Sequence, residues 1–172
     1  HPLAIHLYIH AVEASSQPKR AEVHADTLSD LVPGAGHLVH MPSPIYWRVG
    51  RYADASAANV RAAAVDESYI ASCNAQGFYP AAYYPHNIHF LWAASSMEGR
   101  SALAIESARK VAANVRLEMI EQFPGVEFFN TIPLLALTQF GRWSEVLNEP
   151  APPENLKFST AIWHYARATA YA

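Results

Sequence analysis

The chain has 172 residues, 51% of them hydrophobic, with a formal net charge of −3 and a single cysteine. This length and apolar content support a folded core and exclude a disordered chain. The sparse charge, with no basic run, argues against a nucleic-acid partner, and no apolar run is long enough to cross a bilayer. Because Cys73 is alone, a disulfide framework is excluded and the cellular compartment stays open.

Alanine-rich periodic segments alternate with short turns, which predicts an all-α fold. In chain order, helices are predicted over residues 4–14, 19–31, 37–49, 52–72, 85–97, 101–122 and 128–140, then over a short segment ended by prolines, and over 156–172. The segment 72–85 is predicted to be an inserted loop, which we interpret as an ordered spacer rather than a lid. Pro42 and Pro44 lie inside the third helix and are expected to kink it. Since the chain starts without methionine and ends inside a helix, we expect a fragment truncated at both ends, without its targeting information.

A Gly-Arg pair followed by a predicted helix occurs three times, at Gly50, Gly99 and Gly141. A small residue follows at a fixed offset in each copy, and these residues are Ala55, Ala104 and Val146. A weaker first copy contains Ala21, which precedes Ala55 by 34 residues. Gly50 and Gly99 are 49 residues apart, which equals one such period plus the inserted loop. The spacing therefore predicts an internal repeat.

This repeat resembles the tetratricopeptide repeat, in which paired helices recur every 34 residues and the second helix opens with Gly-x-Tyr-x-x-Ala. The segment VGRYADASAANVRAAAVDE (49–67) fits that pattern throughout, MEGRSALAIESARKVA (97–112) fits well, and FGRWSEVLNEP (140–150) fits at the turn. The resemblance implies a right-handed solenoid of antiparallel helix pairs, about four pairs in a single array over residues 1–172. The first helices of such an array line a concave groove that binds a protein or peptide. Its open ends would expose apolar surface and are candidates for self-association.

The histidines follow the same period. His6 and His40 are 34 residues apart, and His40 and His89 are 49 apart, as are His37 and His86. Spacings of three or four residues place side chains on one helix face, and in the repeat family this face of the first helix lines the groove. The sequence thus predicts a row of imidazoles in the groove. The candidate metal ligands are His6, His10, His37, His40, His86 and His89.

Neutral imidazole suits divalent Zn, Cu, Ni or Fe, so one of these ions is the cofactor that we expect. Glu13, one turn after His10, could add a carboxylate. The alternative is a structural role, because duplication would also copy histidines that serve only packing or hydrogen bonding. Aromatic and imidazole side chains predicted to contact a ligand in the groove are Tyr46, Tyr83, Tyr84, Trp92 and His164.

Three segments also resemble sequence segments of bacterial proteins in the same repeat class. They are HLYIHAVEAS (6–15), PGAGHLVHMPSPIY (33–46) and YYPHNIHF (83–90). That resemblance implies no activity. This chain departs from the family's sequence pattern at Pro44, where the family has histidine. One candidate metal ligand is therefore absent from this chain.

Two functions of different classes follow from these patterns. The first is a non-catalytic repeat module whose groove binds a partner, a peptide or a divalent metal. The second is a metal-dependent enzyme, which would need ligands that converge on one ion with an open coordination position. An acid or base such as Glu13 or Tyr46 would then stand beside the ion.

Overall fold

The computed structural model describes residues 1–172 and contains helices and turns but no β-strand, so the predicted all-α fold is confirmed. The α-helices are α1 (Pro2–Glu13), α2 (Glu22–Leu31), α3 (Gly36–His40), α4 (Pro42–Arg48), α5 (Tyr52–Cys73), α6 (Tyr84–Met97), α7 (Ser101–Ala113), α8 (Leu117–Gln122), α9 (Ile132–Gln139), α10 (Trp143–Asn148) and α11 (Lys157–Tyr171). Two 3₁₀ segments cover Pro18–Ala21 and Pro124–Thr131, and a π-helical turn covers Tyr79–Tyr83. None of these helices has the length and apolar character needed to cross a membrane.

The chain divides into two compact units, residues 1–99 and residues 100–172. In the first unit, the long helix α5 packs against α3, α4 and α6, while α1 packs against α2 and α4. The core of this unit joins Ile9, Leu28, Met41 and Ile45 to small residues such as Ala55, all fully buried. Small side chains on α5 let neighbouring helices approach closely, and this brings the polar groups of α3 and α6 next to it.

In the second unit, α9 packs against α7, α10 and α11. Its core is built from Leu134, Leu137, Val146 and Ala166. A cavity of about 480 Å³ lies in this unit, lined in part by Arg109, Asn130 and a proline-rich segment, 150–153.

The three Gly-Arg turns share one backbone conformation. Gly50, Gly99 and Gly141 have φ of +84°, +73° and +64°, a region that favours glycine, and each ends a helix. The arginine that follows each of them precedes the first residue of the next helix. The small residues at the fixed offset, Ala21, Ala55, Ala104 and Val146, are all 0% exposed. The sequence repeat therefore corresponds to a repeated local structure.

Several predicted boundaries are wrong for identifiable reasons. The helix predicted over 37–49 is two helices, because Pro42 opens a new helix after Met41 and the expected kink becomes a break. The helix predicted over 101–122 ends at Ala113, where the Asn114 side chain donates a hydrogen bond to the Lys110 carbonyl at 2.8 Å. The predicted helix 128–140 starts as a 3₁₀ segment, since Pro133 suits only the first turn of an α-helix.

The predicted inserted loop is also shorter than expected. Helix α5 continues to Cys73 and ends at Asn74, which has φ of +45°. From Tyr79 onward the chain is helical again and runs through the π-helical turn into α6. Only residues 74–78 of the predicted loop are therefore outside a helix.

Gly36, the first residue of α3, is packed directly against a buried carboxylate. A Cβ at this position would lie 1.9 Å from Oδ1 of Asp66. The carboxylate of Asp66 cannot easily move, because it accepts hydrogen bonds from the Tyr79 hydroxyl at 2.6 Å and from the Asn87 amide at 2.7 Å. This network fixes the start of the helix that carries His37 and His40.

We expect Gly36→Ala to destabilise the protein by about 1–3 kcal/mol, because an added methyl must displace the Asp66 network. The matched control is Gly34→Ala, where a Cβ would meet nothing within 4 Å. Urea unfolding followed by far-UV circular dichroism measures both variants, and equal midpoints for the two would contradict the packing described at Gly36.

Candidate metal centre

Five imidazoles from three helices converge in the first unit. His6 and His10 come from α1, His37 and His40 from α3, and His86 from α6. They form two groups of three, which share His37. Within each group, the nitrogen atoms that could bind an ion all lie within 4.8 Å of one another. We call His6 and His10 the outer pair and His40 and His86 the inner pair.

The inner pair is held by a buried amide. Nε2 of His40 lies 3.0 Å from Nε2 of His86, and His40 is 0% exposed. The Asn59 amide nitrogen donates to the Ala55 carbonyl at 2.8 Å, so its oxygen must be the atom 2.6 Å from Nδ1 of His40. Nδ1 of His40 therefore carries the hydrogen, and the Nε2 lone pair of the neutral ring is directed at His86.

The outer pair has a similar arrangement nearer the solvent. Nε2 of His10 lies 3.0 Å from Nε2 of His6, and Nδ1 of His10 lies 3.0 Å from a carboxylate oxygen of Glu13. The carboxylate can only accept, so Nδ1 of His10 donates to it, and in the neutral ring the Nε2 lone pair of His10 faces Nε2 of His6. The His10 side chain is 42% exposed. A carboxylate behind a histidine ring is a common outer-shell partner of metal-binding imidazoles.

His37 stands between the two pairs. Its ring centroid lies 5.2 Å from that of His6 and 5.8 Å from that of His86, and the Tyr83 ring packs on it at 4.8 Å. Its Nδ1 atom is buried and has no hydrogen-bond partner. Such an atom is costly to leave unpaired, which marks it as a place where a ligand bond would stabilise the fold.

The distance between the two Nε2 atoms of each pair matches that of two ligands on one ion. Two nitrogens bound at about 2.0–2.1 Å lie about 2.8 Å apart in square-planar and about 3.4 Å apart in tetrahedral geometry. The spacing of 3.0 Å in both histidine pairs lies within this range. A set made only of imidazoles suits Zn, Cu, Ni or Fe, whereas Mg²⁺ and Ca²⁺ prefer oxygen ligands.

Burial favours the neutral form, which metal binding requires, in four imidazoles of the centre: His6, His37, His40 and His86. It lowers the pKa of His37 to about 4, with further lowering by the neighbouring His86, His6 and His10. Burial also places the pKa of His40 well below its ordinary value, and His86 lowers it further. The pKa values of His6 and His86 are lowered mainly for the same reason. At neutral pH the lone pairs are therefore available without prior loss of a proton.

One predicted ligand, His89, lies outside both three-histidine groups. Three residues beyond His86 on α6, its ring packs against Trp92, with the centroids 5.1 Å apart, and against Phe90 at 6.4 Å. Burial lowers the pKa of His89 to about 4. The repeat spacing placed His89 beside His40, but the residue of α6 that contacts His40 is His86.

The predicted groove residues are spread over several environments. Tyr83 contacts His37, as described above. The Tyr46 hydroxyl donates to Asp26 at 2.9 Å, and the Tyr84 hydroxyl donates to Glu67 at 2.8 Å, so both phenols hold helices together.

The two remaining groove predictions belong to neither three-histidine group. Trp92 packs on His89, and its indole nitrogen is buried without a partner. His164 lies in the second unit, exposed on α11, where its ring contacts Trp163.

Two residues that the sequence did not single out shape the centre. Asn59 orients His40, and the only signal for it is a polar residue on an alanine-rich helix, four positions after Ala55. Phe90 packs on both rings of the inner pair, with centroids 4.8 Å from His40 and 5.0 Å from His86. Its position one turn after His86 places it on the same helix face.

An apolar pocket of about 340 Å³ adjoins the centre. Phe90 and Glu13 line it, and these residues also contact the inner and outer pairs. Pro44 lines it as well.

Comparison of the chain with protein-family models, with curated proteins and with solved structures gives no match. The site is therefore interpreted from its own geometry.

For the metal-free protein we expect stability to fall as the pH drops from about 6.5 to about 4. An unfolded histidine has a pKa of about 6.5, whereas folded His37 and His89 have pKa values of about 4. Between these values the unfolded chain binds more protons, so lowering the pH favours it, by at most about 1.4 kcal/mol per pH unit for each histidine. Above about pH 6.5 both states are neutral and the dependence from these groups vanishes.

Urea midpoints measured in EDTA from pH 7.5 to 4.5 test this expectation. His89→Gln should flatten the profile, since it removes one of the two groups. A profile that is flat in the unmodified protein would show that the buried imidazoles do not resist protonation.

Proposed function

We propose that residues 1–99 form a helical module that binds a divalent transition metal through the imidazoles of α1, α3 and α6. One observation carries this proposal: two histidine pairs, each with Nε2 atoms 3.0 Å apart. In each pair, one ring has its other nitrogen held by an acceptor, the Asn59 amide or the Glu13 carboxylate. The Nε2 lone pair of that ring therefore points at Nε2 of the second ring, and an ion that replaces the hydrogen shared by the two rings would be bound by both.

A purely structural role explains these contacts less well. A packing histidine normally pairs its ring nitrogens with backbone groups or side chains of opposite hydrogen-bonding character. In the inner pair, the Nε2 acceptor of His40 faces a second imidazole rather than a backbone group. His37 in addition has a buried Nδ1 without a partner. An ion would bind the paired Nε2 atoms and the unpaired nitrogen of His37, whereas packing alone would not require these nitrogens to converge.

The ligand set narrows the identity of the ion. Five nitrogen donors with no thiolate among them favour Zn or Cu, with Ni or Fe as weaker fits to the same set. The neutral state of the buried imidazoles means that such an ion binds without competition from protons near neutral pH.

We further interpret the fold as a tetratricopeptide-like array of antiparallel helix pairs. The three Gly-Arg turns with left-handed glycines and the buried small residues after them support this interpretation. In it, α1, α3 and α6 belong to the first helices of successive pairs, whose faces line the groove. The groove of this module would then hold an ion where other such arrays hold a peptide.

The native protein is expected to retain metal near stoichiometry, and His40→Ala is expected to weaken binding by more than about 100-fold. The loss is large because His40 is a buried ligand held by Asn59. Metal content by elemental analysis after native purification, followed by competition with a chromophoric Zn or Cu chelator, measures both quantities.

The control is His164→Ala, which removes an exposed imidazole of the second unit. It should bind metal as the unmodified protein does. Absence of stoichiometric metal, together with equal affinity in the His40→Ala variant, would rule the proposal out.

A further inference from the structure

We propose that the five histidines form two metal sites that are filled in sequence, with an outer site that captures an ion and an inner site that retains it. This inference rests on the proposed metal-binding function and adds to it a second ion and a direction of movement. The outer site consists of His6, His10 and His37, and the inner site of His37, His40 and His86.

The first support is that the two groups overlap at one residue. His37 lies within 4.8 Å of the ligand atoms of both groups, yet each group has its own close pair of nitrogens. One imidazole nitrogen binds one ion at a time, so His37 can complete either site. A neutral imidazole offers one lone pair, so when both sites are filled His37 completes the inner site, and His6 and His10 hold the outer ion.

The second support is the gradient of exposure. The His10 side chain is 42% exposed and His6 is half-buried, whereas His40 is 0% exposed. An ion that arrives from solvent with its water shell meets the outer pair first. Stripping that shell in steps, one imidazole for each water, avoids carrying a bare charge into the buried site.

The third support is the difference in how the two pairs are held. His40 is fixed by Asn59, which is itself buried and bonded to Ser43 and Ala55. His10 is fixed by Glu13, one turn away on the same exposed helix face. A preorganised, desolvated site binds more tightly and releases more slowly than an exposed one. The geometry therefore gives the inner site the higher affinity and the outer site the faster exchange.

The transfer itself is a ligand exchange without redox change. Bonds from the ion to Nε2 of His6 and His10 break as bonds to Nε2 of His40 and His86 form. His37 stays bound during the exchange, and the charge of the ion does not change. In each pair the ring that donates through Nε2, His6 or His86, shifts its hydrogen to Nδ1 when its Nε2 binds the ion, so a proton moves within the ring and none is released.

Zn²⁺ binding to the full chain tests this scheme by stoichiometry and by stopped-flow competition with a chromophoric chelator. The unmodified protein should bind two ions with clearly different exchange rates. The variant His6→Ala/His10→Ala should bind one ion at an affinity within about threefold of the tight site. It should load that ion at least about tenfold more slowly, because the capturing ligands are gone.

Two more variants complete the design. His40→Ala should retain one weakly held, rapidly exchanging ion, while His24→Ala, which removes an exposed histidine of α2 outside both groups, should behave like the unmodified protein. Glu13→Gln keeps the outer imidazoles and should slow loading less than their removal does.

Three results would overturn the scheme. Loading at the unmodified rate in His6→Ala/His10→Ala would exclude the outer site as the place of capture. A single ion that requires all five histidines would exclude two sites while leaving the proposed metal-binding function intact. No ion bound to the unmodified protein would overturn both.

Discussion

The short hydrogen bond between the Asn59 amide and Nδ1 of His40 is the contact on which the rest of the centre depends. It is buried, and the Ala55 carbonyl leaves the amide only one orientation. That orientation sets the tautomer of His40 and so decides which of its nitrogens faces His86. Without this bond, either imidazole of the pair could donate to the other across 3.0 Å. With it, the fold presents a lone pair at a fixed place.

The backbone around this bond explains how three helices can meet there. Fully buried alanines of α5, such as Ala58 and Ala62, bring α5 close to the helices that carry the histidines. Gly36 allows α3 to start directly against the Asp66 carboxylate, and Pro42 ends the continuity of α3 with α4. The short α3 thus starts at a fixed point on α5, and its His37 and His40 contact histidines of α1 and α6.

The sequence predicts much of this, because the features that carry the fold are local. A glycine that must adopt positive φ and a small residue at a close helix contact can be identified by type and spacing, as at Gly50 and Ala55. The same spacing indicated that His6, His37, His40 and His86 share a face, and they do lie together.

What the sequence could not predict depends on the packing of distant residues. His89 shares the spacing but packs on Trp92 and belongs to neither three-histidine group. Asn59 orients a histidine nineteen residues earlier, and nothing in its neighbours along the chain indicates that pairing. The hydroxyls of Tyr46 and Tyr84 are used by carboxylates on other helices, which residue type alone does not reveal.

X-ray absorption at the Zn edge, on protein loaded with one equivalent of Zn²⁺, tests the central claim most directly. The histidine cluster predicts a first shell of nitrogen at about 2.0–2.1 Å, with the outer-shell scattering typical of several imidazole rings. The scattering should lose imidazole contributions in His40→Ala and stay unchanged in His164→Ala. A first shell dominated by water or carboxylate oxygen, without imidazole scattering, would contradict the account.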